Sequence, residues 1–190
     1  MSTLRNTLAL GGREVVPSLT VRRVIGVVAF AAASAFGARV ALPIPGTPVP
    51  FTLVPLIVLL AGTVLGARLG AASQVLYLAA GVSGLPVFVA GGGAAYLLGP
   101  TGGYLLAYPA AAFLAGALGR SGTVRALPGL IAAMASIYVG GLAWLAVVGS
   151  VDTAVALGLR PFALADLVKV LMVVLLMGRF RDRALRLFGS

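Results

Sequence analysis

From Leu69 to Gly119 the chain carries no charged side chain, a run of about fifty residues. One membrane-spanning helix needs roughly 20 apolar residues, so this run reads as two spans with a connector between them. Composition extends the conclusion to the whole chain. Of its 190 residues, 61% are hydrophobic and 9% charged, and a soluble domain has nowhere to hide that much apolar surface. The class is an all-α membrane protein. A net charge of +10 would point to nucleic acid in a soluble protein. Here the arginines flank hydrophobic spans, where they set topology, and no nucleic-acid partner is expected.

Taken in order, residues 1–20 form a basic tail with Arg5 and Arg13. The first span covers about 21–41. Its Arg22-Arg23 start and small-residue end resemble a leader peptide, but some twenty polar residues precede it, so it is expected to stay as the first helix. Ala29, Ala33 and Gly37 recur every four positions, as do Ala31 and Ala35. Such stripes admit a second helix at close range, either within the fold or from a partner protein. Four prolines between Pro43 and Pro50 cannot continue a helix, and predict a stiff, extended connection. A second span follows over about 51–66, short for a span and started deep by that loop. A tight turn with Arg68 leads to a third span from about 69 to 80, and a fourth covers 102–118. The intervening stretch, 81–101, includes Gly91-Gly92-Gly93 and has the glycines and prolines of irregular backbone. At membrane depth such backbone survives only if buried in protein or lining a cavity, so it reads as a lid or a pocket wall. A fifth span over 126–148, a polar connection over 150–161 and a sixth span over 162–178 complete a bundle of six transmembrane helices. The organisation is a membrane domain over 21–180 between basic tails at 1–20 and 181–190.

Six spans put both termini on one side. That side gathers eleven of the thirteen arginines, leaving Arg39 and Arg160 opposite, so both termini are expected in the cytoplasm of a cell whose inner membrane the chain crosses repeatedly. The proline loop, the glycine loop and the 150–161 connection then face outward.

Within the sixth span stand Asp166 and the single lysine, Lys169. Three residues apart on a helix, they share a face. Ionisable groups at membrane depth are expensive, so they face a cavity and serve a ligand or an ion. They lie roughly 6–11 Å below the outer end of their helix at 1.5 Å per residue. Without Cys or His the chain has no thiol nucleophile, imidazole base or ordinary zinc site, and neither catalytic nor metal-binding residues are assigned. The four acids are too scattered for paired-carboxylate chemistry, and no P-loop is present. A solute binder is expected rather than an enzyme. A stand-alone transporter using Asp166 as a proton carrier and a scaffold with no solute are the competing readings.

Four segments carry a resemblance: Pro48-Val49-Pro50-Phe51-Thr52-Leu53, Gly84-Leu85-Pro86-Val87-Phe88, Leu98-Gly99-Pro100-Thr101-Gly102-Gly103-Tyr104-Leu105 and Asp166-Leu167-Val168-Lys169. In this order, over about 21–178, the sequence resembles the BioY family, the biotin-capturing S components of energy-coupling-factor (ECF) vitamin transporters. The resemblance implies a six-helix bundle holding biotin near the outer surface, under the loops joining spans 1–2, 3–4 and 5–6. It implies that Asp166 and Lys169 contact the vitamin, with no further cofactor. It also implies that the Ala29, Ala33, Gly37 stripe docks on a transmembrane coupling subunit driven by two ATPase subunits. Some members carry an asparagine or a basic residue in the loop between spans 3 and 4. Here 87–98 has neither, which leaves Tyr96 or backbone groups, including those at Gly91 and Gly92, for polar contacts. Phe51, Phe88 and Tyr96 are candidates to pack biotin's bicyclic ring, or the core. Arg39 is a candidate for its carboxylate if Lys169 takes the ureido end. Tyr104 reads as a structural residue.

Overall fold

The computed structural model describes residues 18–121 and 124–188; most of the expected N-terminal tail, 1–17, lies outside them. The described chain is mostly helical: α1 (Leu19–Arg39), α2 (Val54–Leu65), α3 (Ala67–Val82), α4 (Gly102–Leu118), α5 (Leu127–Val148), α6 (Val151–Gly158) and α7 (Ala163–Phe188). Local sequence sets the boundaries. The Ser18 side chain caps α1 by accepting from the Val21 N–H, and prolines open α2 and α5 in their first turns, where a missing N–H costs nothing. Gly66, at φ 88°, turns the chain between α2 and α3 with no other residue to spare.

Three expectations are corrected here. The polar connection over 150–161 is largely helix α6, because Ser150 caps it by accepting from the Thr153 N–H at 3.2 Å. The basic segment after Gly178 continues α7 to Phe188, since no glycine or proline interrupts it before that point. The proline loop is not simply an extended connection either. Its ends pair as antiparallel strands β1 (Ala41–Leu42) and β2 (Phe51–Thr52), with Leu42 opposite Phe51.

Among the described residues, α1 and the segment Val124–Val148 are long and apolar enough to cross a membrane outright, and α6 with α7 forms a third candidate bent by 54°. The helices α2, α3 and α4 have 12, 16 and 17 residues, about 18–26 Å at 1.5 Å per residue, short of a ~30 Å hydrocarbon core.

Short, apolar α2 is the centre of the bundle, touching α1, α3, α4, α5 and α7. Its Val58, Leu59 and Leu65 are fully buried. It approaches α4 so closely that a Cβ on Gly62 would run into the Ala112 carbonyl oxygen. Gly62→Val is therefore expected to force the two helices apart at a cost of about 1–3 kcal/mol, lowering the melting temperature in detergent by roughly 3–10 °C. A melting curve like that of the parent protein would show that the helices are not held at this distance. Helix α1 is fastened to α3 by a buried polar chain, in which Ser34 Oγ donates to Gln74 Oε1 and Gln74 Nε2 to Ser73 Oγ, both at 3.1 Å. Where lipid offers no partners, such interhelical hydrogen bonds hold helices in register.

Candidate ligand-binding site

The loops converge on one end of the bundle, each held by a side chain from a helix. Pairing of β1 with β2 fixes Phe51 and the Thr52 carbonyl above α7. In the glycine loop Phe88 and Gly91 form a tight turn, Phe88 N–H donating to the Gly91 carbonyl at 2.8 Å. Gly91 has a φ of 129°, closed to other residues, and a Cβ on Gly92 would strike the Leu85 carbonyl oxygen. Tyr77 Oη donates to the Val87 carbonyl at 3.3 Å, and Trp144 Nε1 to that of Gly99 at 2.9 Å. Helix α6 is tied at its C-terminal end, where Tyr104 Oη donates to Gly158 O (2.9 Å) and Thr47 Oγ1 to Leu157 O (2.7 Å). These two bonds satisfy carbonyls that a helix end leaves unpaired.

Beneath the loops lies a cavity of about 640 Å³, counting the open space at its mouth. Asp166 and Lys169 are in its wall and almost fully buried, at 6% and 4% exposure. Lys169 Nζ donates to Asp166 Oδ1 at 2.6 Å and to the Thr52 carbonyl at 2.7 Å, and sits 3.9 Å above the centre of the Phe51 ring. The second carboxylate oxygen, Oδ2, accepts from Tyr138 Oη at 2.5 Å. The buried ion pair is thus hydrogen-bonded on both sides, the condition under which its desolvation cost is offset. The remaining N–H of Lys169 and the free lone pairs of Asp166 give the cavity one donor and one acceptor side by side.

Of the residues singled out in the sequence, Asp166, Lys169, Phe51, Phe88 and Tyr96 meet in this wall. Gly91 and Gly92 do not line it; they shape the turn that presents Phe88. Arg39 is outside it as well, its guanidinium Nη2 donating to the Pro86 carbonyl, so it braces the glycine loop from behind. The helix 1 stripe divides. Gly37 is buried, with no room for a Cβ beside Ile57 of α2, whereas Ala29 is exposed and Ala33 half-buried. Tyr104, read as structural, both ties α6 and lines the cavity.

Sequence reasoning missed Tyr138, Tyr108 and the Thr52 carbonyl. A signal for the tyrosines was available. Tyrosine in membrane proteins gathers at the two interfaces, yet Tyr108 and Tyr138 stand well inside their spans. All five tyrosines of the chain line this one cavity, so its wall combines aromatic faces with phenol hydroxyls.

A helical membrane protein with a closed ion pair at the base of an aromatic cavity, under loops from three connections, is by class a solute-binding protein. A family model for the BioY family matches residues 11–186. The chain is 43% identical over 153 residues to the probable biotin transporter BioY of Pyrococcus horikoshii, covering 80% of this chain and 91% of that one. It is 35% identical over 164 residues to the biotin transporter BioY of Thermotoga maritima, with 84% and 96% covered. Its fold matches the crystal structure of the S-component for biotin from an ECF-type ABC transporter, with a TM-score of 0.76 and 25% identity over 86% of this chain and 92% of that one. The chain belongs to the BioY family, a family of transporter components and not of enzymes.

Proposed function

We propose that this chain is the biotin-binding subunit of an ECF importer, capturing the vitamin with high affinity on the outer side of the cell membrane. The observation that carries this reading is the Asp166–Lys169 pair at the base of the cavity, with a donor and an acceptor left over. Biotin's ureido ring offers N–H donors beside a carbonyl acceptor, and its thiolane ring is apolar. Asp166 accepts from a ureido N–H, Lys169 donates to an oxygen of the ligand, and Phe51, Phe88 and Tyr96 cover the rings. Relatives named as biotin transporters support the same substrate.

In this reading α1 to α5 and α7 are the six spans, and α6 lies at the outer end as part of the cover. Support comes from the arginines. Arg22, Arg68, Arg125 and Arg186 lie at the helix ends opposite the cavity, and Arg23 Nε donates to the Phe188 carbonyl at 3.3 Å, joining the start of α1 to the end of α7. Positive-inside then places both termini in the cytoplasm. Transport is driven by a transmembrane coupling subunit and two ATPase subunits, with α1 docking on the coupling subunit through its open Ala29 and Ala33, Gly37 being used against α2.

Titration of the purified chain in detergent with biotin and a panel of other vitamins tests the proposal. Nanomolar biotin binding with no comparable competitor is expected. Biotin binding weaker than micromolar, or tighter binding of another vitamin, overturns it.

A further inference from the structure

We infer that the Tyr108 hydroxyl contacts the transported ligand, donating a hydrogen bond to one of its acceptor oxygens; this rests on the biotin reading above. Tyr108 lines the cavity at 6% exposure, one helical turn deeper along α4 than Tyr104. The other wall tyrosines of comparable burial are committed: Tyr77 to the Val87 carbonyl and Tyr104 to the Gly158 carbonyl. Half-buried Tyr138 is committed too, to Asp166. Tyr108 has no hydrogen-bond partner among the described residues. Tyr96 and Thr101 are also without one, but both are half-buried and nearer the mouth.

No buried polar side-chain atom among the described residues lacks a partner, so the unpartnered Tyr108 hydroxyl opens into the cavity and not into packed protein. A ligand that fills the cavity without giving this hydroxyl a partner forfeits about 1–3 kcal/mol, so the hydroxyl is placed to bond the ligand itself. Acceptance from the ligand's N–H groups is already available at Asp166. Donors are scarcer: Lys169 has spent two of its three N–H groups on Asp166 and Thr52. A ureido carbonyl or a carboxylate takes two or more hydrogen bonds, and Tyr108 supplies the second.

Tyr108→Phe removes a single oxygen. Biotin affinity is expected to fall about 10- to 100-fold, while the melting temperature of the unliganded protein stays level or rises. Two analogues locate the acceptor. With 2-iminobiotin, which lacks the ureido oxygen, parent and variant bind alike if Tyr108 reads that oxygen. With biotinol, which lacks the carboxylate, they bind alike if it reads the acid. Either result supports the assignment. Equal losses with both analogues, unchanged biotin binding by the variant, or a loss of affinity accompanied by lower thermal stability overturns it. A parent chain that binds no biotin overturns the functional reading and this inference together, whereas a binding parent with an equally tight variant overturns this inference alone.

Discussion

Asp166→Asn should reduce biotin affinity by at least about 100-fold and lower the melting temperature of the unliganded protein. The two effects share a cause. Removing one member of a buried pair leaves the other charged and uncompensated, at about 3–5 kcal/mol. Here the orphan is Lys169, 4% exposed, which keeps the Thr52 carbonyl and the Phe51 ring but loses its counter-ion. Asparagine also offers Tyr138 a weaker acceptor. The ligand loses a carboxylate acceptor and gains an amide whose N–H₂ faces its own N–H donors. Because both losses could follow from damaged folding, the informative companion is Asp166→Asn with Lys169→Met. That double variant removes both charges at near-constant volume, and replacing a buried pair with apolar groups is often neutral or stabilising. Melting in detergent should recover, and biotin titration should stay blank. Recovery of both would show that the pair serves packing alone. Biotin binding by Asp166→Asn at the parent affinity would remove the carboxylate from the site.

Much of this arrangement was legible because membrane depth makes a few residues informative. Asp166 and Lys169 stood out against an apolar span, and their spacing alone put them on one face. Helix α4 was read to its boundaries because Gly102 and Gly119 bracket an uninterrupted apolar run. What stayed hidden depends on long-range contacts. The Thr52 carbonyl holds Lys169 across 117 residues of sequence, and a backbone carbonyl has no letter of its own. Arg39 was assigned toward the ligand on charge, but the chain's path after α1 turns its guanidinium to Pro86. The 150–161 segment reads as a polar connection because it holds Asp152 and Arg160. In space Ser150 caps helix α6, and Asp152 and Thr153 are exposed in its first turn.

Phe88→Ala is expected to cost about 100-fold in biotin affinity and to loosen the glycine loop selectively. Phe88 is fully buried and carries that loop's attachment to the bundle. Its ring packs into the space that Gly81 leaves open, meets Tyr77 edge-on with centroids 5.5 Å apart, and lies 5.0 Å from Tyr96. Truncating such a ring costs about 3–5 kcal/mol, of which aromatic geometry contributes about 1 kcal/mol. The loop's other ties are single hydrogen bonds, including Gly93 N–H to the Gly81 carbonyl at 2.7 Å and Tyr77 to Val87, each worth about 1 kcal/mol. The loop should therefore open before the bundle does. Hydrogen–deuterium exchange should rise across residues 85–99 and stay level in α2 and α5, while Phe88→Leu restores part of both protection and affinity. Gly81→Ala should reproduce the phenotype from the opposite side, because its methyl group occupies the ring's place. Exchange rising evenly through all helices would instead make Phe88 a core residue whose loss weakens the whole protein. The ligand cover would then have to be held by the proline loop and α6.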